Sequence, residues 1–259
     1  VSTDTRDIKV QNLFIPLVGE KFDGHNFVFD AIQKGAIATL WDKKHPTPYL
    51  DAGIIIVDDT LKAYQKLANS YLSATGAKVI GITGSNGKTG TKDILASILE
   101  EKFRVHKTAK NLNNDIGLPK TIMEMDLDDE AVVLEMGMSS LGEIRRLGEI
   151  SNPDYAIITN IGDSHIEFLK TRDNVFKAKT ELLEFVNKEN TFVCGDDVYL
   201  AKLDVNKIGF NEDNNFRIES YEFSDKGSKF TLDGKEYEMS LLGKHNISNT
   251  AIAIELAKK

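Results

Sequence analysis

The sequence predicts an α/β protein in two parts. A small N-terminal α/β domain precedes a P-loop-type central domain, whose mostly parallel sheet is flanked by helices and carries an antiparallel hairpin region. Strand-like and helix-like runs alternate from residue 78 to 195, which is typical of a parallel sheet covered by helices. The stretch "GITGSNGKTGTKD" puts glycines, a lysine and a threonine at one strand-to-helix junction. Residues 216–242 alternate apolar and polar around "DKGS" and "LDGK", which predicts hairpins.

Residues 1–76 form the predicted N-terminal domain. The apolar segments "NLFIPLVG", "IATLWD" and "GIIIVDD" predict strands, and "NFVFDAIQKGA" and "TLKAYQKLANSYLSA" have helical spacing. The predicted linker is "TGAK" at 75–78, because the helix ends near Gly76 and "KVIGIT" begins a strand. We therefore assign 1–76 and 77–259 to separate domains.

The central domain follows in chain order. Strands are predicted at "KVIGIT", "AVVLEM", "YAIITN" and "TFVCGD", and helices at 88–101, 141–150 and 173–187. After the hairpin region, "NISNTAIAIELAKK" predicts a final helix. This helix has no obvious cap or tail, so we expect the parent protein to continue beyond it.

Composition narrows the function classes. The 259 residues are 41% hydrophobic and carry a net charge of −8, which argues against nucleic-acid binding because no cluster of Lys and Arg offsets the acidity. No apolar run approaches the roughly 18 residues of a membrane span, and the N-terminus lacks a leader pattern, so we expect a cytoplasmic protein without membrane insertion. Cys194 is the single cysteine, which excludes an intrachain disulfide, and we interpret it as a buried strand residue.

The glycine-rich junction predicts a phosphate site. Backbone N–H groups of such a loop and the N-terminus of the following helix favour anions. Lys88 would reach the β and γ phosphates, and the Thr89 hydroxyl would ligate Mg²⁺. The strict P-loop spacing is missed, because Ile82 stands where its first glycine belongs; the pattern is G-x-x-G-x-x-G-K-T. The alternative is a glycine-rich turn without a ligand.

Polar residues at strand ends predict the remaining metal ligands. Glu135 ends the strand "AVVLEM", and Thr159 and Asn160 end the strand "YAIITN". We expect these to be adjacent strands that present polar groups on one edge, with His165 shortly after. The alternatives are an ordinary strand-end charge for Glu135 and a loop or core histidine for His165.

Several motifs together resemble the Mur ligases of peptidoglycan synthesis. The segments "GITGSNGKT", "NLNNDIGLP", "LEMGMSSLGEI", "TNIGDSHIEFL", "AKTELL" and "LGKHNISN" occur in the family's order, and "STDTR" with "GEKFDGHNF" resembles its N-terminal nucleotide-sugar domain. The resemblance covers essentially the whole chain. It implies a three-domain enzyme of which the chain holds the first two, with the first domain lacking its opening residues and the C-terminal Rossmann-like domain absent.

The resemblance also implies the chemistry. Mur ligases use ATP to convert a carboxylate into an acyl phosphate, which an amine attacks to give an amide. It implies two Mg²⁺ ions, Lys88, Lys179 and His165 as catalytic residues, and Thr89, Glu135, His165 and Lys179 as metal-site residues. The pattern alone predicts that Lys179 is a solvated helix lysine; the resemblance implies instead that it is carbamylated.

The implied ligand contacts fall into two groups. The nucleotide contacts are Gly84, Ser85, Asn86, Gly87, Lys88, Thr89, Gly90, His245, Asn246 and Asn249. The substrate contacts are Ser2, Thr3, Asp4, Thr5, Arg6, Lys21, Phe22, Asp23, Gly24, His25, Asn111, Asn113 and Asn114. From the residues alone, Asn246 or Ser248 could simply cap the last helix, "NLNND" could be an Asn-rich turn, and "GEKFDGHNF" could be a polar loop. Gly90 stands where the family usually has threonine, which predicts a looser junction between loop and helix.

The implied substrates are UDP-N-acetylmuramoyl-tripeptide and D-alanyl-D-alanine, and we expect a monomer. Three other functions stay open: the ligase that adds the third residue, lysine or diaminopimelate; a P-loop kinase or ATPase; and a non-catalytic fragment that binds nucleotide and UDP-sugar. We expect residues 1–259 alone to bind ligands and to ligate poorly.

Overall fold

The computed structural model describes all residues from 1 to 259. Its contacts divide the chain into two units, Val1–Tyr71 and Leu72–Lys259. No helix is both long and apolar enough to cross a bilayer.

The first unit is built on a three-stranded parallel sheet in the order β1-β2-β3. The strands are β1 (Leu13–Phe14), β2 (Ala38–Asp42) and β3 (Gly53–Val57), and the helices are α1 (Val28–Gln33) and α2 (Thr60–Thr75), which runs on into the second unit. Phe14, Val28, Ala31, Ala36 and Trp41 form its buried core. All three strands are parallel, so their carboxyl ends share one edge, where ligands of α/β folds bind.

The second unit contains one sheet of nine strands. Its strands are β4 (Lys78–Thr83), β5 (Val105–Lys107), β6 (Ala131–Glu135), β7 (Tyr155–Ile158), β8 (Thr191–Cys194), β9 (Asn206–Gly209), β10 (Phe216–Ser224), β11 (Gly227–Leu232) and β12 (Lys235–Met239). Their order is β12-β11-β10-β9-β8-β7-β4-β6-β5. The pairs from β5 to β10 are parallel, and β10-β11-β12 is antiparallel. This confirms the predicted α/β class with an appended hairpin region.

Six helices accompany this sheet: α3 (Lys88–Glu100), α4 (Gly117–Met123), α5 (Glu143–Ser151), α6 (Ile166–Leu169), α7 (Arg172–Thr180) and α8 (Lys244–Ala257). Leu95 of α3 and Ile252 of α8 belong to one fully buried cluster with strand residues such as Ile82 and Phe192. The first helix after the glycine-rich loop and the last helix of the chain therefore pack on the same face of the sheet.

Cys194 ends β8 and is partly rather than fully buried. Desolvation by burial raises the pKa of its thiol to about 11. The thiol therefore stays protonated at neutral pH, as expected of a structural cysteine.

Candidate functional site

The loop between β4 and α3 is shaped for an anion. Gly87 precedes α3 with φ of 80°, and no side chain caps the helix, so the first N–H groups of α3 have no partner within the helix. The Lys88 Nζ donates to the carbonyl of Gly84 at 2.9 Å. Burial lowers the pKa of Lys88, and the nearby Glu135 carboxylate acts in the opposite direction. An uncapped helix start beside a half-buried amine suits a phosphate.

The end of β7 fixes this loop in place. The Thr159 hydroxyl donates to the Asn86 carbonyl at 2.6 Å, and the Asn160 side chain both accepts from the Asn86 N–H at 3.0 Å and donates to the Asn86 carbonyl at 3.0 Å. Ser85 accepts from the Gly162 N–H at 2.7 Å. Thr159 and Asn160 therefore hold the loop itself.

Gly84 and Gly90 differ sharply in the space around them. At Gly84, φ is +149° and a Cβ would overlap the Thr159 hydroxyl, whereas at Gly90 a Cβ meets nothing within 4 Å. We expect Gly84→Ala to lower the free energy of unfolding by about 2–4 kcal/mol through overlap and backbone strain. As a matched control, Gly90→Ala should raise it by up to about 1 kcal/mol, because alanine favours the helix. Urea unfolding measures both; equal effects at the two positions would contradict this account.

Glu135 lies at the centre of the site. It is 3% exposed at the end of β6. The Thr89 hydroxyl donates to one carboxylate oxygen and the Asn113 side-chain amide donates to the other, both at 2.8 Å. A carboxylate and a hydroxyl are ligands that suit Mg²⁺, so Thr89 and Glu135 fit a metal beside the phosphate loop. Asn113 links this pair to the predicted substrate loop.

The expected adjacency of the strands that end in Glu135 and Thr159 is wrong. β4 pairs with β6 on one side and with β7 on the other. The two polar strand ends consequently flank the phosphate loop, because β4 itself leads into that loop. Both still lie on the carboxyl edge of parallel strands, as expected.

Lys179 is buried, which corrects the pattern-based prediction of a solvated lysine. It lies near the end of α7 and is 2% exposed. Burial and the charge of Lys88 together lower the pKa of its amine to about 7. An uncharged amine is the form that can add CO₂, so a substantial fraction of Lys179 is in that form at neutral pH.

Two predicted site residues, His165 and His245, lie on the surface, unlike the buried Glu135 and Lys179. His165 is exposed before α6, with φ of 57°, and forms no hydrogen bond with Thr89, Glu135 or Lys179. His245 is exposed in the first turn of α8. Asn249 of the same helix is 6% exposed and lies against Gly87, where a Cβ would be 2.7 Å from its Nδ2.

The helix-cap alternative for Asn246 and Ser248 is wrong. Gly243 occupies the N-cap position of α8 without a side-chain cap. The Asn246 side chain instead donates to the Leu242 carbonyl at 2.8 Å, and Ser248 is buried within the helix.

The other predicted substrate loop residues of the second unit lie near Asn113. The side chain of Asn114 accepts from the Gly117 N–H at 2.8 Å and so starts α4, while the carbonyl of Asn111 accepts from the Asn113 N–H at 2.8 Å. The Asn-rich segment is thus a tight turn, and one of its three side chains reaches Glu135.

The "STDTR" segment of the first unit forms a 3₁₀ turn. Asp4 caps this turn by accepting from the Arg6 N–H at 2.9 Å and also pairs with the Arg6 guanidinium. Ser2 bonds to the backbone of Asp4, and Thr3 and Thr5 are partly exposed. Arg6 is exposed.

The "GEKFDGHNF" loop mixes exposed and buried residues. Lys21 and Phe22 are exposed, whereas Gly24 and His25 are buried. Asp23 accepts from the His25 Nδ1 at 2.7 Å and from the Nε2 of His45 at 2.8 Å. Partial burial raises the pKa of Asp23, but hydrogen bonds from the His25 backbone N–H and from the two histidine rings outweigh it and lower the pKa to about 2. Sequence reasoning missed His45, since nothing in its local pattern links it to Asp23.

These three side chains approach closely enough to consider a metal, since one ligand atom from each lies within 4.8 Å of the others. The hydrogen bonds oppose it. The His25 Nε2 accepts from the Asp42 N–H at 3.3 Å, so its proton sits on Nδ1 and is donated to Asp23. The rings of His25 and His45 are stacked with centroids 3.8 Å apart, so their in-plane lone pairs do not converge. Asp23, His25 and His45 therefore form a hydrogen-bonded group that stabilises the "GEKFDGHNF" loop.

A glycine-rich loop between a parallel strand and a helix, followed by Lys-Thr and faced by a buried carboxylate, defines an α/β protein of the phosphate-loop class. Residues 82–257 match the family profile described as Mur ligase middle domain, and residues 1–72 match that described as Mur ligase family, catalytic domain. The chain belongs to the Mur ligase family, of which it carries the N-terminal and middle domains.

The chain is similar to ligases that share one name within this family. The chain is 44% identical to the UDP-N-acetylmuramoyl-tripeptide--D-alanyl-D-alanine ligase of Bacillus subtilis over 98% of its length, and 31% identical to the enzyme of that name in Escherichia coli over 99%. It spans 57% and 59% of those proteins. A MurF structure from Acinetobacter baumannii matches with a TM-score of 0.91 at 28% identity, over 99% of this chain and 58% of that one. MurF from Thermotoga maritima in complex with ADP matches at 0.89 and 28%, over 99% and 62%.

Proposed function

We propose that the chain is the nucleotide-binding and substrate-binding part of an ATP-dependent amide ligase. It would join D-alanyl-D-alanine to UDP-N-acetylmuramoyl-tripeptide in peptidoglycan precursor synthesis. The observation that carries this proposal is the buried Glu135, held by Thr89 and Asn113 beside the uncapped start of α3. The names of the relatives support the same reaction.

The roles of the residues follow from their positions. The first N–H groups of α3 and the Lys88 amine would bind the phosphates of ATP, and Asn249 lies against the same loop. Thr89 and Glu135 would hold Mg²⁺, which would neutralise the phosphates when bound. Negative charge grows on the transferring phosphoryl group, so Lys88 stabilises the transition state where that charge develops. ATP supplies the phosphoryl group that activates the substrate carboxylate.

Lys179 would serve this site as a carbamate. The uncharged Nζ attacks the carbon of CO₂, one C–O π bond opens to leave the negative charge on oxygen, and the nitrogen gives its proton to solvent water. The carbamate is an anion that attracts Lys88, whereas the protonated form of the Lys179 amine opposes it. His165 would approach a second Mg²⁺ from its exposed loop, and His245 with Asn246 would contact the base and ribose.

In the first unit, the exposed residues of the two loops would bind the UDP-sugar. Arg6 and Lys21 supply positive charge, and Phe22 supplies an exposed ring. Asp4 and Asp23 shape their loops by accepting backbone N–H groups. We propose that the enzyme acts as a monomer in the cytoplasm.

The alternative ligase, which adds the third residue of the peptide, has less support. The structure of the UDP-N-acetylmuramoyl-L-alanyl-D-glutamate--2,6-diaminopimelate ligase matches at a TM-score of 0.67 and 18% identity, below the MurF values. A P-loop kinase would not need the first unit or a buried Lys179.

The decisive experiment measures phosphate release in the complete protein that carries these residues. With Mg-ATP and UDP-N-acetylmuramoyl-tripeptide, we expect release that depends on added D-alanyl-D-alanine. Phosphate release without D-alanyl-D-alanine would instead indicate an ATPase. Release that requires lysine or diaminopimelate, with a UDP-N-acetylmuramoyl-dipeptide as the other substrate, would indicate the alternative ligase. Because the relatives are longer, we expect residues 1–259 alone to bind Mg-ATP and to form little amide.

A further inference from the structure

Lys92 is a buried lysine whose role the proposed chemistry does not include. It lies one helical turn after Lys88 in α3 and is 4% exposed. Its Nζ donates to the carbonyl of Thr108 at 2.8 Å. Lysine is almost never fully buried without a partner. A methionine would fill the same space without desolvating an amine, so packing alone does not explain why an amine stands here.

Thr108 connects three parts of the site. Its N–H donates to the Val133 carbonyl of β6 at 3.0 Å, and its hydroxyl accepts from the Glu135 N–H at 2.9 Å. Its carbonyl accepts from Lys92. The residue is 1% exposed, and it begins the loop that carries Asn113.

These hydrogen bonds join α3 to Glu135 by two routes. Thr89 and Lys92 lie three apart in α3, hence on one side of the helix. Thr89 reaches the carboxylate of Glu135, and Lys92 reaches the same residue through Thr108. The helix therefore holds both the side chain and the backbone of Glu135.

The surroundings of Lys92 contain charges of both signs. A cavity of about 590 Å³ beside it is lined by Thr89, Asp93, Glu100, His106, Lys107 and Lys110, among others. Asp93 lies 3.6 Å from the Lys92 amine and 3.1 Å from Lys107. The exposed Asp93 is thus shared with Lys107, and the contact specific to Lys92 is the buried carbonyl of Thr108.

We propose that Lys92 is a positioning residue that sets the Glu135 carboxylate and the loop 108–114 relative to the phosphate loop. The inference rests on the proposed function in assigning Glu135 to Mg²⁺. Lys92 touches neither nucleotide nor metal in this account; it acts through Thr108. Loss of its amine should loosen the loop and weaken the metal contribution to nucleotide binding.

The first test is amide hydrogen exchange of the chain without ligands. Lys92→Met keeps the length of the side chain and removes the donor. We expect exchange at Glu135 and in 108–114 to rise about 10-fold relative to β8, the factor for about 1.4 kcal/mol. Lys92→Arg keeps a donor and should restore much of the protection. Lys107→Met removes the other amine beside Asp93, which is partly exposed and makes no contact with the Thr108 carbonyl, and it should leave the ratio unchanged. An unchanged ratio in Lys92→Met, or the same rise in Lys107→Met, would overturn the proposal.

The second test compares the affinity for ATP with and without Mg²⁺ by calorimetry. We expect Lys92→Met to reduce the Mg²⁺-dependent gain in affinity about 10-fold while changing the Mg²⁺-free affinity less than about 2-fold. Equal losses under both conditions would indicate a merely structural role and would overturn the proposal. A wild-type chain that binds no ATP would count against the proposed function, whereas the exchange result would still decide the role of Lys92.

Discussion

Lys88→Met is expected to lower ATP turnover of the complete protein by about 10²–10³-fold, the scale for losing one charge-stabilising donor at a transferring group. Lys88 is the amine of the phosphate loop, and its contact in the structure is a carbonyl of that same loop. Burial removes water from the Lys88 amine and lowers its pKa. An ion pair with a phosphate would offset this cost of desolvation. Phosphate release at saturating substrate measures the effect.

The control for this variant is Lys78→Met at the other end of β4. Lys78 lies on the surface and pairs with Asp154 at 3.1 Å, so its removal should leave turnover within about 2-fold, as for most surface substitutions. In Lys88→Met both the affinity for ATP and the turnover should fall, whereas in Lys78→Met neither should. Comparable turnover in Lys88→Met and wild type would remove Lys88 from the reaction.

Lys179→Met is expected to stabilise the fold and to abolish ligation. The pKa of Lys179 is about 7 when folded, against its ordinary value of 10.5. Between those values the unfolded chain binds more protons than the folded chain, so the free energy of unfolding rises with pH. At pH 7 the buried amine costs about 4 kcal/mol, which the methionine variant recovers.

Urea unfolding in CO₂-free buffer at pH 7 and pH 10 measures this difference. The wild-type chain should gain about 3.5 kcal/mol over that range relative to Lys179→Met, and the two should converge above about pH 10.5. Lys177→Met on the same helix is the matched control, since its exposed amine should leave the pH dependence unchanged. Parallel pH profiles for wild type and Lys179→Met would show that burial does not lower this pKa.

The long periodic elements were predictable from the sequence because their apolar patterns are regular. β4, β6, β7, β8, the helices around them and the hairpins of 216–242 all form near the expected positions. Four elements of the second unit were missed because they are short: β5 has three residues, β9 and α6 have four each, and α4 has seven. Such short elements depend on the neighbours that bury them rather than on their own periodicity.

The order of the strands and the burial of individual side chains were harder to predict from the sequence. The sequence places Glu135 and Thr159 on consecutive apolar strands, and only the pairing of β4 with both β6 and β7 shows that the phosphate loop lies between them. Lys179 and Lys92 both look like solvated helix lysines, because periodicity does not report what covers a helix end. The spacing of Lys92 is the one sequence feature that could indicate its role, since it lies three residues from Thr89 and hence on the same side of α3.

The contact between Asn249 and Gly87 has a consequence for biosynthesis. A ribosome makes the phosphate loop early, but the helix that lies against it is 150 residues or more downstream by position, at Lys244–Ala257. Until that segment has emerged, the buried cluster that α3 and the sheet share with α8 is incomplete, and part of its apolar surface stays open to solvent or to a chaperone. The proposed nucleotide site is therefore completed late in translation, and we expect nascent chains that stall before residue 244 to be unable to retain nucleotide.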